Sequence, residues 1–176
     1  MGIKRDAKDY TTDVITGPNG RPRKIRRYTG PEFYFEADEK DIRKGRIILA
    51  SGIAFSLICN LVSLILNTSI MHSWFTSGPH ILCLLGNVHL VMEYVGFVTV
   101  KEPFTREDSE HVFDRMAIWS LLNMLFSFAA VIACIVWNVK NTPGPADIAV
   151  VVLTTLLFSA STFVFSNKTY AKTRQQ

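Results

Sequence analysis

Four blocks of almost unbroken apolar residues, Ile47–Leu66, Ile81–Val100, Met116–Val139 and Ile148–Phe165, alternate with polar stretches along the chain. Crossing ~30 Å of hydrocarbon takes ~20 helical residues, with 17–25 acceptable. Each block meets that length. The first, third and fourth contain no Asp, Glu, Lys, Arg or His, and the second contains only His89 and Glu93. The pattern predicts an all-α integral membrane protein, a bundle of four transmembrane helices with spans at about 47–67, 80–100, 116–139 and 148–166.

Punctuation between the blocks is clear. Ser77-Gly78-Pro79 offers a cap and a first-turn proline for the second span, and Thr105-Arg106-Glu107-Asp108 resembles a capping arrangement. That places the start of the third helix near Arg106, running unbroken into the membrane. Pro143-Gly144-Pro145 makes a turn, with Asp147 near the positive N-terminal end of the last helix.

Helical periodicity then assigns faces. In lipid, helix interfaces gather small and weakly polar residues, because apolar burial alone does not drive helices together. At 100° per residue the first span aligns Gly52, Ser56, Cys59, Asn60, Ser63 and Asn67. The second aligns Gly86, His89, Glu93 and Gly96; the third aligns Ser120, Asn123, Ser127, Ala130, Cys134 and Asn138. The fourth aligns Thr155, Ser159, Thr162 and Ser166. Turned inward, these stripes predict that His89 and Glu93, an i,i+4 pair, meet Asn60 and Asn123 in the bundle interior.

Charge sets the orientation. Residues 1–46 hold twelve Lys and Arg against eight acids, and the 101–115 connection and the tail each hold three further bases. The other two connections carry only Lys140 between them. Basic residues flanking spans stay cytoplasmic, so both termini are expected inside. The first ten residues, MGIKRDAKDY, contain no apolar core, so no cleavable signal peptide is expected. Bare outer loops fit a bacterial inner membrane best.

Residues 1–46 read as a cytoplasmic basic segment and residues 167–176 as a cytoplasmic tail. In the segment, Val14-Ile15-Thr16, the turn residues GPNG and the run RPRKIRRY suggest a short β-hairpin. Phe33-Tyr34-Phe35 suggests a short strand or an anchor on the membrane surface. Arg21, Arg23, Lys24, Arg26 and Arg27 form a basic patch suited to anionic lipid headgroups, each base being worth ~1 kcal/mol beside such a surface. The acids around it, and the lack of a recognition motif, argue against nucleic acid.

The candidate chemistry is thin. His89 and Glu93 with Asn60 and Asn123 form a candidate intramembrane polar site, since a carboxylate within a span is costly and marks function by default. It would serve as an ion-coupling site, a structural staple or a contact with a partner subunit. Four scattered histidines, His72 and His80 near the outer face among them, give no metal-ligand spacing, and no cofactor is expected. Cys59, Cys83 and Cys134 lie one to a span without CxxC spacing, and GxSxG, HExxH and P-loop motifs are absent. The sequence therefore points away from an enzyme. It points to a small accessory or scaffold subunit that binds another membrane protein or itself, the alternative being a small ion- or proton-coupled transporter or channel.

Overall fold

The computed structural model describes residues 9–16, 21–66, 68–109, 113–168 and 173–175. Its elements are strands β1 (Tyr10–Thr16), β2 (Pro22–Tyr28) and β3 (Phe33–Phe35), helices α1 (Glu39–Ile65), α2 (Trp74–Thr99), α3 (Arg106–Ser109), α4 (Arg115–Lys140) and α5 (Pro145–Asn167), and strand β4 (Thr173–Gln175). Four of these helices, α1, α2, α4 and α5, are long and apolar enough to cross a membrane. They touch in a ring, α1 on α2, α2 on α4, α4 on α5 and α5 on α1. Large apolar side chains such as Phe55, Ile58, Leu85, Ile132 and Val152 cover the outside. A soluble bundle would hide that surface; in hydrocarbon it needs no cover.

The ends of the bundle differ. At one, strands from the N-terminal and C-terminal segments pair. β1 and β2 pair antiparallel as a hairpin, Tyr10 opposite Tyr28 and Thr16 opposite Pro22. β3 pairs antiparallel with β4, so Phe33–Phe35 lies beside Thr173–Gln175. Phe33 also exchanges both backbone hydrogen bonds with Phe104, and the Phe35 N–H donates to the Glu102 carboxylate at 2.6 Å. Held this way, Phe35 enters the mouth of the bundle and packs on Phe97, Phe104 and Phe113, with ring centroids 5.2–5.8 Å away. The FYF segment is thus a strand with a buried plug, not a surface anchor. The hairpin stands outside this core, with Thr11–Thr16, Arg21, Lys24 and Arg27 exposed.

At the other end, one carboxylate ties two connections. Asp147 Oδ2 accepts the Gly144 N–H at 3.0 Å, closing the first turn of α5. Its Oδ1 accepts the N–H of Ile70 at 3.1 Å, in the connection between α1 and α2. Ile70 is itself buried against Cys134 and Val150.

Several boundaries differ from expectation. α2 begins at Trp74, six residues before the expected span, so Pro79 lies inside it. The cause is Ser73, whose carbonyl accepts from the hydroxyls of Thr76 and Ser77, organising a turn ahead of the proline. A consequence is that His80, expected near the outer face, sits a full turn into the helix and is completely buried. α1 starts at Glu39, about two turns before its apolar block. α3 and α4 are separate in the described chain, since residues 110–112 lie outside it.

The α5 stripe is rotated. Thr155, Ser159 and Ser166 face outward and Thr162 is half-buried, whereas Val150, Thr154, Leu157, Ser161 and Val164 face the bundle. Each of these four hydroxyls donates to the carbonyl four residues back, at 2.9 Å. A hydroxyl satisfied by its own helix can face hydrocarbon without penalty, so Ser and Thr do not by themselves mark an interface.

Candidate site: two polar layers in the bundle

Eight buried side chains form two polar layers, each taking one residue from each long helix. The inner layer joins Ser56 of α1, Asn87 of α2, Asn123 of α4 and Ser161 of α5, all at most 1% exposed. Asn87 Oδ1 accepts from the Ser56 hydroxyl at 2.9 Å and from Asn123 Nδ2 at 3.2 Å. Asn123 Nδ2 also donates to Ser161 Oγ at 3.1 Å, and the Ser56 and Ser161 hydroxyls lie 3.4 Å apart. The four contacts cross the four seams between neighbouring helices and close a ring.

Gly86 makes room for it. A Cβ there would come within 2.9 Å of Asn123 Oδ1 and 3.4 Å of Asn123 Cβ and Cγ. Asn123 Oδ1 thus takes the space that a side chain at position 86 would fill, and it has no hydrogen-bond donor among the described residues.

The second layer joins Asn60 of α1, His80 of α2, Cys134 of α4 and Thr154 of α5, with exposures of 0% throughout. Asn60 Nδ2 donates to the His80 backbone carbonyl at 3.1 Å, which turns Oδ1 of the same amide toward His80 Nδ1 at 3.0 Å. That orientation requires the proton on Nδ1. Nε2 then accepts, and it faces the Thr154 hydroxyl at 3.2 Å. The single Thr154 proton is shared between Nε2 and the Val150 carbonyl at 2.7 Å, with Cys134 Sγ 3.8 Å away.

The spacing that builds both layers is helical. The two members differ by 4 residues in α1, 7 in α2, 11 in α4 and 7 in α5. Each interval is close to a whole number of 3.6-residue turns, so both members share a face.

The expected four-residue site is therefore divided. Asn60 is in one layer and Asn123 in the other, and neither meets His89 or Glu93. His89 is half-buried on the flank of α2 and stacks flat on Trp119, with centroids 3.9 Å apart and planes 4° from parallel. Glu93 is half-buried one turn further on. The residues that periodicity passed over are His80 and Asn87. Their seven-residue spacing with Cys83 between them was the available signal; the charged pair drew attention to a neighbouring stripe. Of the basic patch, Arg23, Lys24, Arg26 and Arg27 fall in β2 with Arg21 just ahead of it, and Lys24 and Arg27, three apart in a strand, point to opposite faces. The side chains of Arg23 and Arg26 lie outside the described residues.

Among the described residues no three His, Cys, Asp or Glu side chains are grouped to hold a metal ion. Cys134 of the second layer is fully buried, as is Cys83 in an apolar cluster with Cys59 and Leu157. Compared with family models, curated proteins and solved structures, the chain matches none. The geometry alone carries the functional reading.

Proposed function

We propose that this chain is a non-catalytic, multi-pass membrane scaffold: an accessory subunit that binds another membrane protein or a second copy of itself. In this reading it lies in a cell membrane, a bacterial inner membrane fitting best, with both termini cytoplasmic as the basic flanks require. The observation that carries the reading is the closure of the inner polar layer into a ring. Side chains that serve a substrate or an ion point into an accessible space, whereas the buried Ser56, Asn87, Asn123 and Ser161 touch one another across all four seams. Such closure makes a rigid body, which is what a scaffold needs.

The hairpin supplies the surface. An isolated two-stranded ribbon is marginally stable in water, and this one leaves Val14, Ile15 and Ile25 between 40% and 62% exposed. Those residues, interleaved with Arg21, Lys24 and Arg27, suit a partner or an anionic headgroup layer beside the bundle.

The test is the mass and composition of the tagged protein extracted from its native membrane in mild detergent. A stoichiometric second subunit or a defined homo-oligomer, lost when residues 9–28 are deleted, supports the scaffold. A monomer that conducts protons or ions in liposomes, and loses that flux in Glu93→Gln with the fold intact, replaces it with the transport alternative.

A further inference from the structure

A groove of about 610 Å³ opens at the end of the bundle that carries β3 and β4, between β3, the start of α1 and the end of α2. Its depth is set by sequence. Arg46 immediately precedes the apolar run that begins at Ile47, and Lys101 immediately follows the run that ends at Val100. The groove is therefore at the level where hydrocarbon gives way to headgroups.

Arg46 is held unusually firmly for a residue at that boundary. Nη2 donates to the Phe97 carbonyl at 3.2 Å, and the guanidinium carbon lies 5.4 Å from the centre of the Phe97 ring. The Tyr94 hydroxyl donates to the Arg46 carbonyl at 3.0 Å. Yet among the described residues the guanidinium has that single hydrogen bond and no carboxylate partner, and its Nε is shut off from the surface without an acceptor. A half-buried cation with unused N–H groups is costly unless an anion completes it. The anion that is abundant at this depth is the phosphate of a lipid.

The rest of the lining narrows the lipid class. Arg43 and Lys101 add two cations, and Asp38, Glu39 and Glu102 bring three carboxylates. Glu102 is engaged with the Phe35 N–H, and Glu39 lies 3.9 Å from Arg43, both exposed. A balanced set of charges gives no net attraction to a purely anionic headgroup. It does suit one that carries a phosphate and an ammonium. Val98, inside the apolar run that ends at Val100, offers apolar surface to the first acyl methylenes. Tyr34 closes the water side; its hydroxyl donates to Glu32, and that bond, with desolvation and the Glu32 and Glu102 charges, raises its pKa above the ordinary phenol value.

We propose that this groove is a binding site for the zwitterionic phosphoethanolamine headgroup of a membrane phospholipid, with Arg46 seating the phosphate and Asp38 and Glu39 receiving the ammonium. The proposal depends on the chain's membrane placement and is independent of its scaffold role. The test titrates the full-length protein, stripped of lipid in mild detergent, with phosphatidylethanolamine, phosphatidylglycerol or inorganic phosphate, and counts adducts by native mass spectrometry. Phosphatidylethanolamine should bind more tightly than phosphatidylglycerol, and Arg46→Gln should weaken it roughly tenfold or more, as loss of a charge-assisted contact implies. Arg46→Lys, which keeps the charge but loses the planar fork, should recover part of the loss. Lys140→Gln, exposed at the opposite end of the bundle, should change nothing. Equal binding by Arg46→Gln and wild type overturns the site. Phosphatidylglycerol binding as tightly as phosphatidylethanolamine overturns the headgroup assignment, and displacement by millimolar inorganic phosphate assigns the groove to a soluble phosphate instead. If Arg46→Gln does not fold, Lys101→Gln, at an exposed position, must weaken the lipid adduct or the proposal fails.

Discussion

Replacing Asn87 by Ala is the most direct probe of the closed inner layer. Asn87 Oδ1 receives two hydrogen bonds, from Ser56 at 2.9 Å and from Asn123 at 3.2 Å. Interhelical side-chain hydrogen bonds in membranes average ~0.6 kcal/mol and reach ~1.7. Two of them contribute about 1.2 kcal/mol, and the vacated amide volume adds about 1 more at the usual cost of a small cavity. The total stays near 2 kcal/mol because the loss strands no donor: Asn123 Nδ2 keeps Ser161 at 3.1 Å, and the Ser56 hydroxyl keeps Ser161 at 3.4 Å. The sharper quantity is the coupling. A double-mutant cycle of Asn87→Ala with Ser56→Ala should give an interaction energy of about 0.6 kcal/mol, and one with Asn123→Ala about the same. A cycle of Asn87→Ala with His80→Ala should be additive within ~0.5 kcal/mol, since seven residues put the two layers about 10 Å apart along α2. Reversible unfolding in mixed micelles, followed by circular dichroism as the denaturing detergent is raised, supplies each term. Additive behaviour within the inner layer would refute the ring. Coupling of equal size between the layers would refute their separation.

Three further substitutions follow from the same geometry. Gly86→Ala drives a Cβ to within 2.9 Å of Asn123 Oδ1 and should cost about 1–3 kcal/mol by overpacking, whereas Gly78→Ala, whose Cβ meets nothing within 4 Å, should leave stability unchanged or raise it by up to ~1 kcal/mol; the same micelle unfolding compares them. Asp147→Ala removes the acceptor for both Gly144 N–H and the buried Ile70 N–H, so it should cost about 2–4 kcal/mol and speed amide exchange in residues 68–73, read by hydrogen–deuterium exchange. Thr155→Val and Ser159→Ala alter outward hydroxyls bonded only within α5 and should stay within ~0.5 kcal/mol of wild type, while Ser161→Ala, one helical step from Ser159→Ala, should cost more.

The four long helices were legible because apolar length is a coarse signal that no tertiary contact overrides. Their ends were less so. Pro79 reads as a helix start because proline is favoured in a first turn, but a proline inside α2 is tolerated when the preceding turn is organised by other means, here the Thr76 and Ser77 hydroxyls on the Ser73 carbonyl. Moving the start to Trp74 carries His80 from the rim into the core. The pairing of β3 with β4 was out of reach for a different reason: it joins Phe33–Phe35 to residues 173–175, about 140 positions away, and three-residue strands have no periodicity to read.

For the site, the decisive property is whether a side chain can satisfy itself. In α1 and α4 the predicted faces and the buried faces agree from Gly52 to Ser63 and from Ser120 to Cys134, with Asn138 half-buried and Asn67 outside the described residues, because Asn60 and Asn123 carry amides that a helix backbone cannot saturate and must find partners across a seam. In α5 the predicted stripe was built wholly from Ser and Thr, whose hydroxyls donate to the carbonyl four residues back, so polarity carried no direction. In α2 the ionisable pair outweighed a single Asn in the reading, although an aromatic contact with Trp119 lets His89 sit at the flank and leaves Asn87 to face the axis. Weighting each span residue by the hydrogen bonds its own helix cannot supply would rank Asn60, His80, Asn87 and Asn123 above every Ser and Thr. Those four are the amide and imidazole side chains that hold the two layers together.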